Sequence, residues 1–199
     1  MPVIINGSGS ITGLSVGGLP DGTVDADTLA SGVGGKVLQV VSTTKKDVFS
    51  EAISAGGISA DITGLTVSIT PANASNKIFL MANLSIGSST TSMTFYKDGS
   101  LLSDAIADAA NKSYDGSALR RLAFDQSGGS HDARAMTGTF NDTAGGTSAI
   151  TYSIRLHMIR ADSTQTAYIN RGNDSDEYSS AYPNDGRYIS TFTAMEIAA

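Results

Sequence analysis

The sequence predicts an all-β chain, a sandwich or barrel of short strands, and three observations predict it. Two long segments alternate apolar and polar residues with a period of two, Asn76 to Ile86 and Ala149 to Ile159. Turn signals punctuate the chain at Asp98-Gly99, Asp115-Gly116, Gly128-Gly129, Gly145-Gly146 and Asp185-Gly186. The composition favours strands and turns over helices. Charged residues make up only 16%, against roughly 25% in ordinary soluble domains, and Ser, Thr and 22 glycines fill the difference.

Residues 1–35 differ from the rest. They hold nine glycines, three aspartates (Asp21, Asp25, Asp27) and no Lys or Arg. Their apolar residues, among them Ile4, Ile5, Ile11, Leu14, Leu19 and Leu29, are scattered singly between Gly and Ser. Such a segment buries too little surface to fold alone, yet it is more apolar than a linker. It reads either as a disordered tail or as a docking arm that orders on other subunits. Leu19-Pro20-Asp21-Gly22 has the residues of a β-turn, and Thr23 to Ser31 suits a short helix capped by Asp25 or Asp27 and stopped by Gly32. Gly34-Gly35 marks the boundary with a head domain over 36–199.

In the head, Ile78, Leu80, Ala82, Leu84 and Ile86 form one apolar face of a strand, and Phe79 and Met81 make the middle of its other face apolar too. A strand buried on both faces is expected where one face meets the core and the other a neighbouring subunit. In the later strand, Ile150, Tyr152, Ile154, Leu156 and Met158 alternate with Thr151, Ser153, Arg155 and His157. Met93 to Leu102 reads as a hairpin, because Asp98-Gly99 supplies the positive φ values of a two-residue primed turn. Further strands are expected at Val37–Val41, Leu65–Ile69, Leu119–Phe124, Met136–Phe140, Gln165–Asn170 and Tyr188–Ile197. Asp47 to Ala55 and Ser103 to Ala110 are read as short helices or loops.

Net charge is −6, and the 13 basic residues form no stripe. Nucleic-acid binding, which relies on clustered cations, is not expected. The absence of cysteine excludes disulfides, zinc–thiolate sites and thiol nucleophiles. The first residues carry no basic segment followed by an apolar run, so no secretory signal and no membrane insertion are expected.

The search for chemistry gives no catalytic residues, cofactor or metal site. Ser130-His131-Asp132 contains triad residue types, but adjacency is not triad geometry, and beside Gly128-Gly129 it reads as a loop tip. His157 lies on the polar face of its strand; it reads as solvated or hydrogen-bonded, or, in a trimer, as one of three copies around an ion. Asn173 to Glu177 is acidic but lacks the calcium-loop pattern, with Tyr178 at an alternating position and no glycine. Arg171, Asp174, Asp176, Tyr178, Tyr182 and Arg187 share one long segment that combines aromatic faces with polar groups, the ingredients of carbohydrate recognition, and it reads either as a receptor contact or as an ordinary interface or solvent loop.

Two stretches carry a family resemblance. Ile4 to Leu14, followed by Gly17-Gly18-Leu19-Pro20-Asp21-Gly22, resembles the N-terminal segments of tail-fibre and fibre-like structural proteins of tailed phages, those of marine and cyanobacterial phages above all. Tyr188 to Ala198 resembles the last strand of phage fibre heads that form a trimeric jelly roll similar to tumour-necrosis-factor-like trimers. Together they cover about 30 residues. The resemblance implies a homotrimeric virion protein made in the host cytoplasm. Its arm would be anchored to other virion proteins through Ile4, Ile5, Ile11, Leu14, Leu19 and Leu29. In its jelly-roll head the final strand, with Phe192, would join Phe79 and Met81 at the trimer interface. The reading is a tail fibre or spike, with the Arg171 to Arg187 segment of its head as the candidate contact to a host-surface glycan. A trimeric capsid decoration protein and, from another class, a glycan-degrading tailspike enzyme are the alternatives; a cell-surface lectin is disfavoured by the missing export signal.

Overall fold

The structure, a computed structural model, describes residues 4–5, 11–12, 36–87, 91–105, 123–125, 133–158, 162–172 and 188–199. The chain divides into two units, Met1–Lys36 and Val37–Ala199. In the first, strands β1 (Ile4–Ile5) and β2 (Ile11–Thr12) pair antiparallel, Ile4 opposite Thr12 and Ile5 opposite Ile11. The turn at Leu19 to Gly22 and the short helix expected at Thr23 to Ser31 fall outside the described residues, as do Leu14, Leu19 and Leu29.

The second unit is all-β and antiparallel. Its strands are β3 (Val37–Lys45), β4 (Phe49–Ile53), β5 (Thr66–Ile69), β6 (Lys77–Gly87), β7 (Thr91–Lys97), β8 (Ser100–Leu101), β9 (Ala123–Asp125), β10 (Arg134–Thr143), β11 (Ile150–Met158), β12 (Gln165–Ile169) and β13 (Ser190–Ile197). The larger sheet runs β3-β13-β6-β12-β4, with β10 on the other edge of β6. The smaller runs β5-β11-β7-β8, with β9 also on β7. The two sheets face each other across one core.

Strand parity builds that core. On β6, Ile78, Leu80, Ala82, Leu84 and Ile86 all point inward and are fully buried, and on β11 Tyr152, Ile154, Leu156 and Met158 do the same. Each such side chain contributes about 1.5–3 kcal/mol of burial. The centre is a ring pair. Phe192 of β13 stacks on Phe95 of β7 with centroids 5.4 Å apart and planes 13° from parallel. Phe192 fits there because its row neighbours are small: Ala82 lies opposite it on β6, and Gly138 lies opposite Ala82 on β10. This corrects the expectation that Phe192 sits at a subunit interface. Its ring is wholly buried inside its own sandwich, because residue 192 has the inward parity of β13 and its neighbours 191 and 193 the outward one.

Two polar ties close the sandwich, and a third fastens the larger sheet to itself. Asp142 Oδ2 on β10 accepts from Lys97 Nζ at 2.7 Å and from the Tyr152 hydroxyl at 2.6 Å, linking the two sheets at one end. Burial first, and then this bond to an anion, push the Tyr152 phenol well above its usual range. Along the β3 edge, Gln39 Nε2 donates to Thr70 O at 2.7 Å and Thr43 Oγ1 to Gly64 O at 3.1 Å. The third tie is Asn170, discussed below. The Asp98-Gly99 turn behaves as the sequence predicts, with φ of 49° and 76°. The Asp98 carboxylate also accepts from the Thr151 amide at 2.8 Å, fastening the turn to β11.

One of the two segments read as short helices or loops is a strand, and the other lies mostly outside the described residues. Residues Phe49–Ile53, inside the segment read as a helix or loop, form β4 paired with β12, Phe49 opposite Ile169 and Ile53 opposite Gln165. Phe49, Glu51 and Ile53 alternate with exposed Ser50 and Ala52, and pairing with a buried strand outweighs the helix preference of Glu and Ala. Of the segment 103–110, Ser103–Ala105 forms a single 3-10 turn, and the remainder lies outside the described residues.

Truncating the central ring, Phe192→Ala, is expected to lower unfolding stability by roughly 3–5 kcal/mol, as for other large-to-small core changes. A urea titration followed by circular dichroism measures it, and a loss under 1 kcal/mol would show that the stack is not the centre of the core.

Candidate functional site

The most distinctive surface is the outward face of the larger sheet. The strand registers line up three rows across β3, β13, β6 and β10: Ser42–Thr193–Met81–Thr139, Val40–Met195–Phe79–Asn141, and Val37–Ile197–Lys77–Thr143. Of these twelve residues only Lys77 is charged. The apolar members gather on β3, β13 and β6. Val37, Val40 and Met81 are 51%, 55% and 39% exposed, and Leu38 beside them is 48% exposed. Phe79, Met195 and Ile197 are half-buried. Thr, Ser and Asn rim the patch. Isolated exposed hydrophobics are ordinary, but a contiguous uncharged patch with a polar rim marks an interaction surface.

Local sequence explains why the patch cannot turn inward. Phe79 and Met81 alternate with Ile78, Leu80 and Ala82, which the core already holds. On β3 a register shift lets Ile197 pair with Val37 directly after Glu196 pairs with Gln39. The extra residue, Leu38, is therefore carried outward with Val37 and Val40. A bulge of this kind also blunts an edge strand against adding further strands, so the face rather than the edge is the surface on offer.

Phe79 and Met81 stand on this face as the alternation predicts. Val37, Leu38, Val40, Met195 and Ile197 were not foreseen as part of it. Their signal was present: Val37-Leu38-Gln39-Val40-Val41 is apolar on both parities, like Ile78 to Met81. What the sequence did not disclose is that β13 lies between β3 and β6 and so joins the two runs.

The segment expected to contact a ligand begins at a well-built base. Asn170 is fully buried at φ 65°. Its amide nitrogen donates to Lys45 O at 2.9 Å and Asp47 O at 3.0 Å, its side-chain oxygen accepts from Ser190 Oγ at 2.7 Å, and its backbone N–H reaches Ser85 O at 2.8 Å. One side chain thus ties the ends of β12, β13 and the β3–β4 turn together. Gly87 lies so close to Arg171 and Gly172 that a Cβ there would collide with their backbone. Arg171 is half-buried, with its guanidinium 4.8 Å from the Tyr168 ring centroid and Nε donating to Gly172 O at 3.2 Å. Asp174, Asp176, Tyr178, Tyr182 and Arg187 lie outside the described residues, as does Ser130-His131-Asp132. Ile4, Ile5 and Ile11 lie in the β1–β2 ladder.

His157 has the outward parity expected, but it is buried rather than solvated. Residues 57–62 run along β11, with Ser59 N donating to Leu156 O at 2.8 Å and Met158 N to Gly57 O at 2.9 Å. The imidazole lies 6.4 Å from the Tyr96 ring, and a 3.4 Å hydrogen bond joins Nε2 to the Tyr96 hydroxyl. Burial within its own subunit removes the ring from any shared ion site on a symmetry axis. Nearby, Arg155 Nε donates to Asp61 Oδ1 at 2.7 Å, a bond that holds the Asp61 carboxyl below the usual range. Among the described residues, no group of three His, Asp or Glu side chains is arranged to hold a metal ion, and no helix is long and apolar enough to cross a membrane.

No protein-family model and no curated protein matches this chain. Solved structures similar to it include the crystal structure of the infectious bursal disease virus VP2 subviral particle. It is 14% identical at a TM-score of 0.39, over 81% of this chain and 38% of that one. The structure of the Gx strain of the same virus is 17% identical at the same score, over 81% and 37%. This chain thus spans under two fifths of the length of those chains. A score this low transfers neither fold nor function, so both rest on the residues described above.

Replacing the buried tie, Asn170→Ala, strands the Ser190 hydroxyl and the carbonyls of Lys45 and Asp47. A stability loss of about 1–3 kcal/mol is expected, read as a lowered thermal midpoint. A variant as stable as the parent would show that this node is not a structural tie.

Proposed function

We propose that the chain is a structural virion protein, the subunit of a homotrimeric fibre or spike, and that the outward face around Phe79, Met81, Val40 and Met195 is where its copies meet. The observation that carries this reading is the uncharged apolar corner on β3, β13 and β6. A soluble subunit gains nothing from keeping these side chains in water, and covering each contributes favourably. The absence of charge fits a second copy of the same chain as the partner. Identical residues meet at a threefold axis, where identical charges would repel, and away from the axis the contact is between different residues of the same largely uncharged face, so neutral side chains pack throughout.

The rest follows as part of the same proposal. The Gly-rich arm of residues 1–35 attaches the head to other virion proteins, with Ile4, Ile5, Ile11, Leu14, Leu19 and Leu29 as its apolar contacts. Three heads present three copies of the segment after Arg171, so weak contacts with a host-surface glycan gain strength through effective concentration. The role is passive, with no catalytic step.

Purified protein at micromolar concentration is expected to sediment as a trimer. Met81→Lys is expected to yield folded monomer, because Met81 is already partly exposed in the subunit and surface changes of this kind shift stability by only about 0.5 kcal/mol. A parent that sediments as a folded monomer contradicts the proposal. Mass spectrometry of purified particles tests the virion role. A few tens of copies per particle supports a fibre or spike, hundreds support the decoration reading, and none overturns both.

A further inference from the structure

Directly behind the apolar corner, on the inward side of the same two strands, lies a buried carboxylate. Glu196 of β13 has no exposed surface. Its Oε1 accepts from the Ala72 amide at 2.7 Å and from Asn76 Nδ2 at 2.6 Å, and its Oε2 accepts from Gln39 Nε2 at 2.6 Å. Gln39 stands opposite Glu196 on β3, between Leu38 and Val40, while Glu196 stands between Met195 and Ile197. The two inward residues therefore pin the two stretches of backbone that carry the outward patch, and they do so at the register shift, where the ladder is weakest.

The donors are all neutral. Along the inward row, Glu196 is followed by Ile78 on β6 and Asp142 on β10. Asp142 is held by Lys97. Lys77, next to Asn76, turns outward and donates to Thr143 Oγ1 at 2.6 Å. The remaining neighbours from β3 and the 70–76 segment, Gln39, Thr70, Ala72, Asn73 and Asn76, are uncharged. Among the described residues, the ion pairs formed are Lys45–Asp47, Lys97–Asp142 and Arg155–Asp61, and none includes Glu196. A buried carboxylate satisfied by N–H donors alone, those of Gln39, Asn76, Ala72 and Asn73, is well held only while it is an anion. A proton on either oxygen sets O–H against a donor and breaks that bond.

We propose that Glu196 is an acid-sensitive latch: ionised, it holds the β3–β13 corner in register, and on taking up a proton it releases β3 and with it the face through which copies associate. The latch rests on the self-association reading above. Its chemical logic is that of a particle component whose assembly loosens when it meets acid.

The sign follows from the site. Desolvation alone raises the Glu196 carboxyl, but the bonds from Gln39, Asn76 and the Ala72 and Asn73 amides outweigh it and leave the group below the ordinary 4.5. A depressed carboxylate contributes stability that is fully present above the unfolded value. That stability is lost as pH falls through the folded one. The release therefore belongs below pH 4.5.

The test is sedimentation of the full chain from pH 7 to pH 3, as parent and as Glu196→Gln, with hydrogen-exchange protection of β3 measured alongside. The parent is expected to hold together at pH 7 and to dissociate in a step below pH 4.5, with β3 amides losing protection in the same step. Glu196→Gln is expected to associate roughly tenfold more weakly at pH 7 and to lack that step. Should Glu196→Gln fail to fold, Gln39→Met removes the latch from the β3 side and is expected to weaken association at pH 7 likewise. Variants that associate like the parent and dissociate in the same acid step overturn the latch and leave the trimer standing. A parent that is monomeric at pH 7 overturns the trimer instead; the latch is then read from β3 protection alone, which must fall below pH 4.5 in the parent and already be low at pH 7 in Glu196→Gln, or the latch fails too.

Discussion

Strand β6 hydrogen-bonds to β10 along one edge and to β13 and then β12 along the other, and that double pairing sets the facing of the larger sheet. Once Ile78, Leu80, Ala82, Leu84 and Ile86 are committed inward, every partner residue in register has its side assigned. Phe192, opposite Ala82, must enter the core; Met195, opposite Phe79, must leave it. A slip of one residue would put five buried aliphatic side chains in water, so the register is strongly specified. The apolar outward corner is the consequence. It is what remains when a strand is apolar on both faces and the core takes only one.

The same parity couples the inside of the fold to its surface. Glu196 and Gln39 face inward, and their flanking residues face outward. The polar cluster at the corner therefore governs backbone whose other side is the proposed contact surface. Two other polar clusters are structural ties: Asp142 between Lys97 and Tyr152, and Asn170 between the β3–β4 turn and the start of β13. Their side chains are buried or half-buried and matched to partners, as a low-dielectric interior demands.

Much of this was legible in the residues. The alternations at 78–86 and 150–158 gave two central strands with the correct inward faces, and Asp98-Gly99 gave the hairpin between β7 and β8. Other features depended on distant partners. Phe49–Ile53 has residues that suit a helix, and only pairing with β12 makes it a strand. The burial of His157 comes from residues 57–62, about a hundred positions earlier. Phe192 was misplaced because a resemblance in its strand says nothing about which face one residue takes. The corner was half read: Phe79 and Met81 announced it, but Val40 and Met195 joined only through strand order, which local pattern does not encode.

The central claim is that copies of this chain cover the outward corner, and oxidative footprinting of methionines measures that most directly. Met93 lies fully buried in the core, and Met81 is 39% exposed in the subunit, so one serves as an internal reference for the other. At micromolar concentration and pH 7, brief peroxide exposure read by peptide mass spectrometry is expected to leave Met81 nearly as protected as Met93. Dilution should open Met81 while Met93 stays closed. Oxidation of Met81 at the rate of a solvent-exposed methionine, independent of concentration, would contradict the account.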